Sequence, residues 1–347
     1  MFMKTEIIKI DNCEKNLEGL ERAAQTLKHG GLVVFPTETV YGLGGDATAA
    51  DVAKKIYTAK GRPSNNPLII HIARPEDAEN YAYTSEYYYR LAQAFMPGPL
   101  TIILPKKSSI PPEVTGGLDT VAVRCPSHPI ARALINAAQV PIAAPSANIS
   151  GRPSPTSADY CIADLDGKVD MIIDGGECDI GLESTIIMLR QGTAILLRPG
   201  AITYDALCCV CENVEISAAA QGALAENERP LAPGMMYRHY APSAAFVLLD
   251  GDTDKFIPYI KQQRSEGERC AAICSNSEAK ELEYKDTVIY GDPDDLITQA
   301  HRLFSALREA DALGCNVIYA RKPSTNGLGL ALYNRMIRAA SHTIRTI

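Results

Sequence analysis

The sequence predicts an α/β protein in two parts, a large twisted sheet over residues 1–212 and a smaller α/β unit over residues 244–347. Three observations support this. In the first part, short apolar runs that suit buried strands alternate with stretches whose apolar residues recur every three or four positions. Over residues 213–243 this patterning fails, and the stretch AAAQGALAENERPLAPGMMYRHYAPS, rich in Ala, Gly and Pro, reads as a linker. Beyond it, strand and helix patterns alternate again at a spacing that implies parallel strands joined by crossover helices.

The elements follow in order. Leu17, Leu20, Ala24 and Leu27 share one helical face, and the helix stops at Gly30-Gly31. Leu32-Val33-Val34-Phe35 is a buried strand. Val52, Ile56 and Ala59 mark a second helix, and Leu68-Ile69-Ile70-His71-Ile72 a second strand. Further strands are predicted at 101–104, 121–124, 142–144, 171–173, 185–189 and 195–197, with helices at 86–95, 129–138 and 204–211. The second part opens with the strand Phe246-Val247-Leu248-Leu249. Helices at 254–266, 296–312 and 328–340 then alternate with strands at 271–274, 288–290 and 317–320. No internal repeat is visible.

Composition narrows the function classes. The 347 residues are 46% hydrophobic and 22% charged, ordinary for a globular enzyme. The net charge of -7 argues against a nucleic-acid binder held by overall charge, so any anion site must be local. The N-terminal stretch MFMKTEIIKIDNCEKN scatters charges where a signal peptide needs an apolar core. No uncharged apolar run approaches the roughly 18 residues of a membrane span. A cytoplasmic location with no membrane contact is expected. The ten cysteines run from Cys13 to Cys315 without framework spacing. Cys208-Cys209-Val210-Cys211 lacks paired C-x-x-C spacing and has no histidine nearby, so reduced thiols and no zinc are expected.

Five polar, Gly/Pro-rich segments lie next to strand ends, where α/β proteins place ligands. Pro36-Thr37-Glu38-Thr39-Val40-Tyr41-Gly42-Leu43-Gly44 sets two hydroxyls and a carboxylate after a strand. It suits either a small polar substrate or a capped turn. Lys60-Gly61-Arg62-Pro63-Ser64-Asn65-Asn66-Pro67-Leu68 flanks a glycine with two cations, which suits phosphate oxygens, or else a solvated turn. It is not a Walker A loop. In Thr120-Val121-Ala122-Val123-Arg124, the arginine interrupts an apolar strand and must meet an anion, either a ligand or a structural carboxylate. The stretch from Ala143-Ala144-Pro145-Ser146-Ala147-Asn148 through Ser154 to Thr156 packs small residues and hydroxyls, so its backbone can approach a ligand closely. Gly181-Leu182-Glu183-Ser184-Thr185 and Leu197-Arg198-Pro199-Gly200 add a hydroxyl and a further cation. Lys60, Arg62, Arg124 and Arg198 together suggest an anion pocket in an acidic protein.

These segments resemble the YrdC-like family of threonylcarbamoyl-AMP synthases. The resemblance rests on PTETVYGLG, KGRPSNNPLIIHI, PGPLTIIL, GLDTVAVRCPSHPIA followed by PIAAPSANISGRPSPT, and GLESTII with LLRPG. The linker APGMMYRHYAP and the tail GLGLALYNRMIRAAS resemble the long, two-domain form, so the likeness spans nearly the whole chain. It implies a YrdC-like domain followed by a smaller Rossmann-like domain. Met96 before PGPL and Tyr333 before Asn334-Arg335 depart from the common Phe and Met, both as apolar exchanges.

The resemblance also implies roles. Thr37, Thr39, His71, Arg124, Ala144 and Ser184 fall where relatives hold L-threonine, and Lys60, Arg62, Asn66, Thr120, Ser146, Asn148, Ser154 and Arg198 where they hold ATP. Lys60 and Arg62 are the expected catalytic cations. His239 and Tyr240 match linker residues that reach over the nucleotide, so residues 213–243 are expected to form a lid. The implied substrates are L-threonine, bicarbonate and ATP, the last with Mg2+. The implied products are threonylcarbamoyl-AMP and pyrophosphate, the adenylate passing to a tRNA threonylcarbamoyl transferase, with at most a weak RNA contact. Two readings compete. A double-stranded RNA-binding module is disfavoured by the charge of -7, the absence of Trp, the six Phe residues and the lack of RNP, KH or OB motifs. A hydrogenase-maturation carbamoyl donor would carry acylphosphatase and zinc-finger segments, and neither pattern is present.

Overall fold

A computed structural model describes residues 4–222, 240–251 and 253–347. The chain divides into two compact units. The second gathers the described residues from 240 onward together with two short segments, Gly151–Pro153 and Ile180–Leu182.

The first unit contains β1 (Glu6–Lys9), α1 (Leu17–Lys28), β2 (Val33–Phe35), β3 (Gly42–Asp46), α2 (Ala50–Lys60) and β4 (Ile69–His71). It continues with α3 (Glu86–Phe95), β5 (Leu100–Pro105), β6 (Thr120–Arg124), α4 (Pro129–Ala138) and β7 (Ile142–Ala143). The last elements are α5 (Ala158–Leu165), β8 (Met171–Asp174), β9 (Thr185–Arg190), β10 (Thr193–Arg198), α6 (Tyr204–Cys208) and β11 (Asn213–Ile216). Its strands form one mixed sheet in the order β1-β8-β2-β3-β7-β4-β6-β5-β9-β10-β11. The apolar face read in α1 is real: Leu20, Ala23, Ala24 and Leu27 are buried, in one cluster with Val33, Phe35 and the α4 residues Ile130, Ala131 and Leu134.

The central strands place the site. Successive residues of a strand point to opposite faces. On one face, Ile70, Ile102, Val121, Val123, Ile187 and Leu196 join the main core. On the other, Ile69, Ile103, Ala122, Ile186 and Leu197 form a separate, small apolar patch. That second face also carries His71, Thr101 and Arg124.

Several elements escaped the periodicity. β3 is Gly-Leu-Gly-Gly-Asp, which reads as a loop because glycine carries no side-chain pattern. Its glycines are demanded by packing. A Cβ on Gly44 would lie 2.7 Å from both Phe35 Cε1 and Ile142 Cγ2. β11 begins where the linker was expected, at 213, yet it pairs in parallel with β10 from Thr193↔Asn213 to Leu196↔Ile216 and so extends the large sheet. Its alternation is weak because it is an edge strand with its residues only partly covered or exposed. β1 and α5 were likewise not anticipated.

The second unit contains β12 (Ala245–Asp250), α7 (Thr253–Ser265), β13 (Cys270–Cys274), α8 (Asn276–Glu281), β14 (Thr287–Ile289), α9 (Leu296–Ala312), β15 (Val317–Arg321), α10 (Gly329–Ala339) and β16 (Ile344–Thr346). Its sheet has the order β14-β13-β15-β12-β16, with every pairing parallel as the spacing predicts. No helix among the described residues is long and apolar enough to cross a membrane.

Gly44→Ala is expected to destabilise the first unit by about 1–3 kcal/mol, because the new methyl overpacks two fully buried side chains. Urea unfolding checks this; an unchanged midpoint would show that Phe35 and Ile142 yield without cost.

Candidate active site

Strand register assembles the site. In the β4–β6 pair His71 lies opposite Arg124, and in the β5–β6 pair Thr101 lies opposite Arg124. Directly opposed residues share a face, so His71, Arg124 and Thr101 form one row across three strands. Ser184, just before β9, extends it: its Oγ is 2.7 Å from Thr101 Oγ1. Arg198, at the end of β10, donates from Nη2 to Ser184 Oγ at 3.1 Å and from Nε to Ser184 O at 3.0 Å. All five residues are buried.

The segment after β2 closes over this row. Arg124 Nη2 donates to Glu38 Oε1 at 2.7 Å, and both side chains are 5% exposed. Thr37 Oγ1 donates to Val40 O at 2.6 Å and lies 2.9 Å from Thr39 Oγ1. Since the Thr37 proton goes to the carbonyl, Thr39 donates to Thr37. The same segment is stitched to the 143–156 stretch by Leu43 N to Pro145 O, Ala147 N to Tyr41 O and Tyr41 N to Pro155 O.

His71 is held neutral. Burial and the neighbouring Arg124 charge lower its pKa from 6.5 to about 3. Its Nδ1 lies 3.3 Å from Ile142 O. A carbonyl can only accept, so Nδ1 carries the proton and Nε2 is left as an acceptor.

Lys60 and Arg62 flank the end of α2 and the turn that follows it. Lys60 is the last residue of α2, and Gly61 is its left-handed cap with φ +61°. The Lys60 Nζ donates to the backbone oxygens of Ser146 and Asn148, and Ser150 N returns a bond to Lys60 O at 2.9 Å. Burial and the adjacent Arg62 hold the Lys60 ammonium well below the ordinary lysine range, opposed by Asp164 and Glu183. Arg62 Nη2 reaches Pro67 O at 3.1 Å, which folds the 62–67 turn on itself. Asn66 is buried in that turn and its Oδ1 has no hydrogen-bond partner. Ser146 Oγ donates to Asn148 Oδ1 at 2.6 Å, and Ser154 Oγ to Glu183 Oε1 at 2.6 Å.

Family profiles match the whole of this arrangement. One described as "Telomere recombination", of the Sua5, YciO and YrdC group, covers residues 25–200. Another, described as "Threonylcarbamoyl-AMP synthase, C-terminal domain", covers residues 202–341. The Pyrococcus abyssi threonylcarbamoyl-AMP synthase is 46% identical over 328 residues, which are 93% of this chain and 94% of that protein. The chain belongs to the threonylcarbamoyl-AMP synthase family. The Bacillus subtilis member is 41% identical over 332 residues, with 95% of each chain covered. The crystal structure of the Pyrococcus abyssi protein "complexed with L-threonine" superposes with a TM-score of 0.90 at 43% identity, covering 99% of each chain.

Within this threonylcarbamoyl-AMP synthase fold, His71, Arg124 and Ser184 meet in one row, with Thr37 and Thr39 in the segment that closes on it. Ala144 is buried where β7 ends and donates its N–H to Ile69 O at 2.9 Å. Thr120 is on the face of Arg124 but four residues earlier on β6, roughly 13 Å away along the strand. Lys60, Ser146 and Asn148 form a second cluster, with the Glu183 charge acting on the Lys60 ammonium. Tyr240 belongs to the second unit, its ring centroid 5.1 Å from that of Phe304. His239 and most of the expected lid lie outside the described residues. Among the described residues no cluster of three or more His, Cys, Asp or Glu is placed to hold a metal ion. All ten cysteines are free thiols, with Cys208 and Cys209 exposed and Cys211 buried.

Sequence reasoning passed over three polar residues. Glu38 is the carboxylate of a segment read as suiting a small polar substrate, but it carries no assigned role there. Thr101 is the lone hydroxyl in Leu100-Thr101-Ile102-Ile103-Leu104, and the logic that singled out Arg124 in its strand applies equally to it. Glu183 was overlooked beside Ser184.

The depressed His71 pKa has a measurable consequence. Between pH 6.5 and about 3 the unfolded chain binds a proton that the native His71 refuses. Stability should therefore fall as pH drops through this window, by at most about 1.4 kcal/mol per unit from this group, with no contribution above it. His71→Gln should show a shallower decline than the parent between pH 6.5 and 4 in urea unfolding. Parallel profiles would mean that the native imidazole titrates normally.

Proposed function

We propose that the chain condenses L-threonine, bicarbonate and ATP into threonylcarbamoyl-AMP and pyrophosphate. The observation that supports this most is the buried polar row of His71, Arg124, Thr101 and Ser184 on the second face of the sheet, in a fold shared with a relative crystallised with L-threonine. In this reading Arg124 faces the amino-acid carboxylate, Ser184, Thr37, Thr39 and Ala144 line the same pocket, and the neutral His71 accepts a hydrogen bond through Nε2. ATP lies toward Thr120, Asn66, the Ser146–Asn148 loop, Ser154 and Arg198. Lys60 holds that loop in place. The 1–212 region together with β11 is the catalytic domain, the rest of 213–243, with His239 and Tyr240, its lid, and 244–347 the accessory domain.

The chemistry follows from charge. The threonine ammonium loses a proton, its nitrogen bonds to the carbonyl carbon of bicarbonate, and water leaves, giving a carbamate. A carbamate oxygen then bonds to the α-phosphorus as the bond to the β-phosphate oxygen breaks. Several anions must approach one another, so positioning and cationic neutralisation dominate. Magnesium enters with the triphosphate and supplies further neutralisation there. The adenylate serves as donor to a tRNA-modifying transferase. Free thiols throughout suit a reducing cytoplasm.

Pyrophosphate release from ATP should require bicarbonate and, from a panel of amino acids, L-threonine. Release that ignores either would contradict the proposal. Lys60→Ala and Arg62→Ala should each slow this release by roughly thirtyfold or more, equivalent to about 2 kcal/mol. Rates and ATP affinities near the parent's in both variants would remove them from the site.

A further inference from the structure

We propose that Glu38 is the receptor for the α-ammonium group of the amino-acid substrate, so that the Glu38–Arg124 pair reads both ends of a zwitterion. This rests on the reading that an α-amino acid enters the face carrying His71, Arg124 and Ser184.

The pair is half-made. An arginine and a carboxylate can meet through two parallel hydrogen bonds. Here one contact is made, from Arg124 Nη2 to Glu38 Oε1. Glu38 Oε2 and Arg124 Nε are both buried and have no hydrogen-bond partner. A structural ion pair this deep should satisfy its remaining atoms, because a buried charged group left open is costly. The nearest hydroxyl donors in sequence do not help. The Thr37 proton is given to Val40 O and the Thr39 proton to Thr37, so neither is left for Glu38.

The two open atoms are an anionic acceptor and a cationic donor on one ion pair. An α-amino acid carries the complementary set on a single carbon, a carboxylate for Arg124 Nε and an ammonium for Glu38 Oε2. A ligand with the carboxylate alone would satisfy Arg124 and set a second anion beside Glu38. Other titratable groups near Glu38 do not replace the ammonium. Burial lowers the pKa of His128, disfavouring its cation, and pushes the Cys178 thiol up, so both tend toward their neutral forms. Glu38 thereby selects an amine at the position where the reaction needs a nitrogen nucleophile, and it orients that nitrogen.

The test compares L-threonine with 2,3-dihydroxybutanoate, in which a hydroxyl replaces the ammonium, by calorimetric binding to the full chain. The parent should prefer L-threonine by about tenfold or more, the size of one charge-assisted hydrogen bond. Glu38→Gln should reduce the preference to about threefold or less through weaker L-threonine binding, with ATP affinity within about twofold of the parent. Full preference in Glu38→Gln would overturn the proposal. Should Glu38→Gln lose ATP binding as well, the comparison moves to Glu38→Asp, which keeps the charge. Preference retained there supports the assignment, and preference lost with ATP binding intact overturns it. Failure of the parent itself to bind L-threonine would instead sink the functional reading on which the proposal stands.

Discussion

Arg124 ends the strand Thr-Val-Ala-Val-Arg, and the register of β6 in the centre of the sheet leaves it buried. A guanidinium in that position costs several kcal/mol unless an anion meets it. Much of the site's arrangement can be read as the answer to that demand. The segment after β2 brings Glu38 down onto Arg124, and bonds to the 143–156 stretch hold that segment in place. His71, beside Arg124 on β4, is kept uncharged by burial and by the same guanidinium. The constraint therefore fixes the protonation state of one neighbour and the backbone path of another.

The second cluster follows a different logic. Lys60 spends its ammonium on the carbonyls of Ser146 and Asn148, and its own carbonyl accepts from Ser150. A helix C-terminus thus becomes the clamp for a loop of small residues. Small residues are required in β3 too, where Gly44 has no room for a methyl beside Phe35 and Ile142. The contact of Lys60 with this loop is one that the Lys-Gly-Arg spacing alone did not suggest.

Much of this was legible in the sequence. The buried strands, the helical faces, the parallel second sheet and the family resemblance all came from apolar patterning or from ordered motifs. Elements with no side-chain contrast did not. β3 is mostly glycine, and β11 is an edge strand with little burial to imprint a pattern. Arg124 announced itself by interrupting an apolar strand, whereas Thr101, which does the same more quietly, was passed over. The Glu38–Arg124 contact could not be read at all, because it joins residues 86 apart in sequence and depends on how a loop folds back. For Arg124 the structural carboxylate is Glu38, which engages Nη2 and leaves Nε without a hydrogen-bond partner.

The central claim is that the row containing His71 and Arg124 receives the amino acid. The most direct measurement is the 15N resonances of the His71 imidazole as L-threonine is added at neutral pH. The account predicts that the Nε2 resonance moves on binding while both nitrogens keep the signature of a neutral ring protonated at Nδ1. An imidazole whose resonances stay fixed at saturating L-threonine would place the amino acid elsewhere and contradict the account.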